Sequence, residues 1–128
     1  MPAAALVIRQ RLAANEPERA DFQRDLSVSH ERMGDMFRAL GQTDDAREAY
    51  AAALEIRERL AANERVRADY QMDVVGSLAR TALHAGCGAR ALLERAASIL
   101  QTLDADGRLA PADRPKIDAI AELLASLP

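Results

Sequence analysis

The sequence predicts an all-α fold of antiparallel helix pairs, stacked in series and closed by a C-terminal capping helix. Three observations carry that expectation. The first is an internal repeat. Residues 3–22 read AAALVIRQRLAANEPERADF and residues 51–70 read AAALEIRERLAANERVRADY, identical at 15 of 20 positions with a constant offset of 48. Helical composition alone does not produce so long a match, and a period of a few tens of residues marks arrays whose units bury a face against their neighbours. The second is composition. Among 128 residues, Ala occurs 28 times, Trp never, and Phe plus Tyr four times. Ala, Leu, Arg and Glu favour helix, while β-branched and aromatic residues are too sparse for a sheet. The third is period: apolar residues recur at helical spacing between clear breaks.

The elements follow in order. Residues 3–14 form a partial repeat, because their copy at 51–62 belongs to a longer helical pattern that opens near Asp44. Asn15-Glu16-Pro17 reads as a break and restart, with Asn15 or Glu16 as cap and Pro17 in the first helical turn. A complete repeat spans residues 17–62. Its first helix runs to about Leu40 with Phe22, Leu26, Met33, Phe37 and Leu40 inward, and Gly41 ends it. Thr43 caps the second helix, and Asp44 and Asp45 suit the positive end of its dipole. That helix turns Ala46, Ala49, Tyr50, Ala53, Leu54 and Leu60 inward.

A degenerate repeat spans residues 65–103. Its apolar line is Val66, Tyr70, Val74 and Leu78, continued by Ala82 or Leu83. After residue 77 the offset changes from 48 to 43, so five residues are missing from this unit. Gly86-Cys87-Gly88 is its turn, and Ala89, Leu92, Leu93, Ala96, Ile99, Leu100 and Leu103 face inward beyond it. Asp106-Gly107 signals a further turn. A capping helix at residues 111–127 presents Ile117, Ile120, Ala121, Leu124 and Leu127.

Charge and cysteine content narrow the function classes. The formal charge is −3, with 16 Arg and one Lys, Lys116. Acids and bases are interleaved as on solvated helix faces, which argues against nucleic-acid binding. No apolar run reaches the length of a membrane span, and the N-terminus lacks the pattern of a signal peptide. The single Cys87 cannot form an internal disulfide, and a cytoplasmic, reducing location is the simple expectation.

The complete unit resembles a tetratricopeptide repeat. Met33, Gly34 and Phe37 fall on the Leu-Gly-Tyr-like trio of that family's first helix, and Ala46, Tyr50 and Ala53 on the small, aromatic and small positions of its second. The family's early Trp position is His30 here, and its closing Pro position is Glu58. At 48 residues the unit is 14 longer than the usual 34. The excess is about 3.9 helical turns, so roughly two per helix lengthen the pair without rotating its apolar face. Long-helix repeats of this kind are familiar from bacterial signalling and scaffold proteins, and QRDLSVSHERMGD looks like those. In the second unit Ser77 stands at the Gly34 position and Arg80 at the Phe37 position. The resemblance implies a superhelical solenoid of one domain, residues 1–128, that binds proteins.

It also implies a site. In that family the first helices of successive units line a concave groove. Carried onto this chain, the groove positions are Gln23, Ser27, Val28, Glu31, Asp35 and Arg38, with Arg24 and Ala39 beside them. Gln71 and Val75, with Met72, are their counterparts in the second copy. These residues read equally as a ligand surface or as a solvated helix face. The basic clamp that some relatives use for C-terminal carboxylates has Glu31 and Asp35 at its positions, so a basic partner is favoured.

Other candidates are bland. His30 and His84 have no companions at metal-ligand spacing, and His30 reads as a packed histidine. Cys87 between two glycines reads as a turn residue more readily than as a reactive thiol. No phosphate loop, nucleophile motif or paired ligand set occurs, so neither an enzyme activity nor a cofactor is expected. Two other functions stay open. Leu6, Ile8 and Leu12 of the partial repeat offer an apolar edge for homodimerisation, and a third reading makes the chain the regulatory C-terminal part of a larger signalling protein.

Overall fold

The computed structural model describes residues 2–84 and 88–128; of the turn expected at Gly86-Cys87-Gly88, Gly86 and Cys87 lie outside them. The described residues form six α-helices: α1 (Pro2–Asn15), α2 (Ala20–Ala39), α3 (Thr43–Asn63), α4 (Ala68–Ala82), α5 (Ala89–Ala105) and α6 (Pro115–Ser126). A short 3-10 turn at Pro111–Asp113 precedes α6, and no strand occurs among the described residues. Among the described residues no helix is long and apolar enough to cross a membrane. The chain divides into two compact units, Met1–Asn63 and Glu64–Pro128. In the first, α2 packs on both α1 and α3; in the second, α5 packs on both α4 and α6.

The repeated sequence builds the same helix start twice. Arg19 N–H donates to Glu16 O and Arg67 N–H to Glu64 O, each at 3.0 Å. Arg19 and Arg67 are the N-caps of α2 and α4. Each grips the Asp two residues on with two hydrogen bonds, at 2.9 and 2.7 Å in both copies. Each guanidinium also lies over the next ring, Phe22 at 4.0 Å and Tyr70 at 4.2 Å. The Arg19 hydrogen bonds hold the Asp21 carboxyl below its ordinary pKa. The restart at Pro17 is corrected here. The first helix runs through Asn15, and Pro17 occupies the second position of a turn, where its fixed φ fits equally well. Arg65 fills that position in the second copy. Val66 lies in the same turn and is 78% exposed, so it does not join the apolar line.

The other boundaries follow local chemistry. Gly41 adopts φ +76°, and Gln42 N–H bonds Phe37 O at 2.8 Å, the glycine-terminated helix end expected there. Gly107, at φ +69°, repeats it with Arg108 N–H on Leu103 O at 2.8 Å. Ala46 N–H bonds Gln42 O at 3.0 Å, so the cap of α3 falls on Gln42, one residue before Thr43. The five missing residues come out of a helix: α2 has 20 residues and α4 has 15.

Burial in α5 repeats that of α3 at the 43 offset. Ala46, Tyr50, Ala53, Arg57 and Leu60 are buried, and so are Ala89, Leu93, Ala96, Leu100 and Leu103. The inward line of α2 differs from expectation. Its buried residues are Ser27, Ser29 and Gly34, while Phe22, Leu26, Met33 and Phe37 are half-buried and Leu40, at the C-cap, is exposed. Two residues along a helix is about 200° of rotation, so Ser27 and Ser29 point to opposite sides. A helix held between two others needs small groups on both, and a large apolar stripe serves only one.

Candidate functional site

Six of the sequence-predicted groove residues lie on α2 and two on α4. On α2, four of the six join that helix to its neighbours. Gln23 Nε2 donates to Ala13 O and to Pro17 O, both at 3.3 Å, and so holds the α1–α2 turn. Ser27 is fully buried. Its Oγ donates to Arg24 O at 2.7 Å and accepts from Arg57 Nε at 3.1 Å. Glu31 forms an ion pair with Arg57, the two side chains being 15% and 6% exposed. Asp35 Oδ1 accepts from the Tyr50 hydroxyl at 2.5 Å. Val28 is half-buried and Arg38 exposed.

The residue that organises this face is Arg57, which periodicity did not single out. A signal for it exists in the sequence. Arg57 shares a helix side with Tyr50, Ala53 and Leu60, so its guanidinium enters the contact with α2 and needs acceptors there. Ser27 and Glu31 supply them. Its copy Arg9 turns the other way along the chain, donating to Ser29 Oγ of the following helix at 2.6 Å. His30 is half-buried beside this set, and burial lowers its imidazole pKa. No group of His, Cys, Asp and Glu among the described residues is placed to hold a metal ion.

On α4 the outcome differs. Val75 is buried and Gln71 half-buried. Val75 and Met72 line a cleft of about 300 Å³ between α4 and α6. Met72, Val75, Gly76, Ala79, Arg80 and Leu83 form its α4 wall, at the i, i+3, i+4 spacing of one helix side. Lys116, Ala119, Ile120 and Leu123 form its α6 wall. Eight of these ten residues carry no charge, and the two that do, Arg80 and Lys116, are cations. Leu83 and Leu123 are 56% and 40% exposed, whereas Val75 and Ile120 are buried. Gly76 lowers the α4 wall; a Cβ there would lie 3.8 Å from Arg80 Nη1, an ordinary contact. Lys116 Nζ is 2.9 Å from Asp113 Oδ1.

The arrangement places apolar side chains of two helices around an open cleft. Apolar side chains of α4 and α6 line its two walls, as in small-molecule and peptide pockets generally. The α6 half of the cleft escaped sequence reasoning because residues 116–123 are far from α4 in sequence. The α4 half had a signal: beside its core line of Tyr70, Val74 and Leu78 the helix carries a second apolar line through Met72, Val75, Ala79 and Leu83. No protein-family model, curated protein or solved structure matches the chain.

Proposed function

We propose that this chain is a tetratricopeptide-like protein-binding module and that it takes a segment of another protein in the α4–α6 cleft. The observation that carries the reading is the cleft itself, an open apolar channel between the first helix of the second repeat and the capping helix. The repeat supports the solenoid half of the proposal: two helix pairs, α2–α3 and α4–α5, follow a half-unit α1 and precede α6, and their second helices, α3 and α5, share one burial pattern. Binding proceeds by presentation. A ligand side chain such as Leu or Met enters between Met72, Ala79 and Ile120 and displaces water from apolar surface, at about 25 cal/mol per Å². Arg80 and Lys116 favour a carboxylate flanking that anchor. The basic partner inferred from Glu31 and Asp35 has weaker support, because Arg57 and Tyr50 engage those carboxylates. No catalytic role and no cofactor form part of this reading.

Selection from a random peptide library tests it. Wild type selects peptides with an apolar anchor, and Ala79→Trp, which fills the cleft, loses them while keeping its circular dichroism spectrum. Selected peptides that bind Ala79→Trp equally well place the site elsewhere. An empty selection removes the support for peptide binding.

A further inference from the structure

The repeat supplies an internal control for the α4 wall of the cleft. Counted back from the ends of α2 and α4, Gly76, Ala79 and Arg80 occupy the places of Met33, Met36 and Phe37. In each copy the three positions share one helix side. The first unit fills that side with two methionines and a phenylalanine, all half-buried. The second unit has no side chain, a methyl group and a guanidinium there. All three replacements line the cleft of about 300 Å³. Arg80 is half-buried, and a Cβ on Gly76 would lie 3.8 Å from its Nη1. Its side chain therefore runs back along α4, as helical side chains do, and sets the guanidinium beside the glycine a full turn before its own Cα. The other cation of the cleft is placed differently. Lys116 stands in the first turn of α6, 53% exposed, with its ammonium turned to Asp113 at 2.9 Å.

Resting on the reading of the cleft as a protein-binding site, we propose that Arg80 determines which segment it takes: one with a large apolar side chain, Met, Leu or Phe, and an Asp or Glu close beside it. The apolar side chain supplies from the partner the bulk that Met33 and Met36 supply within the first unit, over the places left small by Gly76 and Ala79. The carboxylate accepts hydrogen bonds from the Arg80 guanidinium. Charge complementarity selects the acid. The described wall residues include no Asp or Glu, so a ligand Lys or Arg would meet only like charge, whereas a carboxylate matches a guanidinium in charge and in bidentate geometry. A guanidinium carries five N–H donors, so it serves contacts within the chain and to a ligand together. Because the guanidinium lies beside Gly76, the acid falls within one helical turn or two extended residues of the anchor, about 5–7 Å and so within about four residues.

Parallel selections from a random peptide library test this, against wild type, Arg80→Glu, Arg80→Gln and Lys116→Glu of the full chain, with Ala79→Trp as the filled cleft. Circular dichroism checks each fold, and Arg80→Gln keeps the test open where the charge reversal does not fold. Wild type selects an acid within about four residues of the apolar anchor. Arg80→Glu binds those peptides at least about tenfold more weakly in fluorescence anisotropy and selects Lys or Arg at the same spacing. Arg80→Gln keeps the anchor and loses the charge preference, while Lys116→Glu keeps the acidic preference. An acidic preference that survives Arg80→Gln, or one that Lys116→Glu reverses, overturns the role of Arg80 and leaves peptide binding in the cleft standing. Peptides that bind Ala79→Trp equally well, or an empty selection, overturn both readings. Self-association of wild type that Ala79→Trp abolishes assigns the cleft to a second copy and likewise overturns the proposal.

Discussion

Arg57 on α3 and Glu31 on α2 form an ion pair within the first unit, with Arg57 almost wholly buried. The second unit solves the same position without charge. Counted back from the ends of α2 and α4, and along α3 and α5 at the 43 offset, Val74 and Leu100 occupy the places of Glu31 and Arg57, and both are buried. The chain thus contains an ionic and an apolar version of one helix contact.

That comparison predicts a mutant cycle. Glu31→Val alone leaves a buried guanidinium without its carboxylate and costs about 3 kcal/mol. Arg57→Leu alone strands a partly buried carboxylate and also destabilises. The double variant recovers most of the loss, because a buried pair replaced by apolar residues of suitable size is often neutral or better. Urea denaturation of the four proteins gives the coupling, and additive losses would show that the two residues act independently.

The two serines of α2 separate by the burial of their arginines. Ser27→Ala removes the acceptor of the buried Arg57 Nε and costs about 1–2 kcal/mol. Ser29→Ala removes the acceptor of Arg9, which is half-buried and can turn to water, so its cost stays below about 1 kcal/mol. Equal losses in chemical denaturation contradict this ordering.

Gly34 is required for contact, and Gly41 for backbone conformation. A Cβ on Gly34 would lie 2.5 Å from Tyr50 Cε1, and Tyr50, 1% exposed, has no room to retreat. Overpacking costs about 1–3 kcal/mol, against roughly 1 kcal/mol gained in helix propensity, so Gly34→Ala is net destabilising. At Gly41 nothing lies within 4 Å and φ is +76°, so Gly41→Ala costs about 1 kcal/mol through backbone strain alone. Tyr50→Leu, which clears the ring, rescues Gly34→Ala and leaves Gly41→Ala unrescued in thermal melts.

His30 gives the stability a pH dependence. Burial lowers its folded pKa from the ordinary 6.5, so the unfolded chain binds more protons between the two values. Its contribution is fully present above pH 6.5, is lost as pH falls from there through the folded pKa, and is constant below. His30→Gln flattens that part of the profile. The effect is small because the ring is half exposed, and a profile unchanged by the substitution would assign the slope to other groups.

Much of the helix layout was legible in the chain. The helix order, the glycine end at Gly41, the turn at Asp106-Gly107 and the five-residue deletion follow from periodicity and turn chemistry, which act over a few residues. The Pro17 boundary was misplaced because proline suits a turn and a first helical turn alike. Of the groove positions, Ser27 and Glu31 were legible as polar residues on α2, but their engagement by Arg57 depends on a helix 26 to 30 residues away.

The sequence by itself determined the repeat, the all-helical class and the Arg-Ala-Asp-aromatic start that begins α2 and α4 alike, because each is carried by local chemistry. Tertiary structure alone decided that Ile56 is core while Ile8 is surface, that Arg57 reaches back to α2 while Arg9 reaches forward to it, and that Val75 lines a cleft with Ile120. The reason is physical: burial and pairing belong to a residue's neighbours in space, and identical segments with different neighbours acquire different roles.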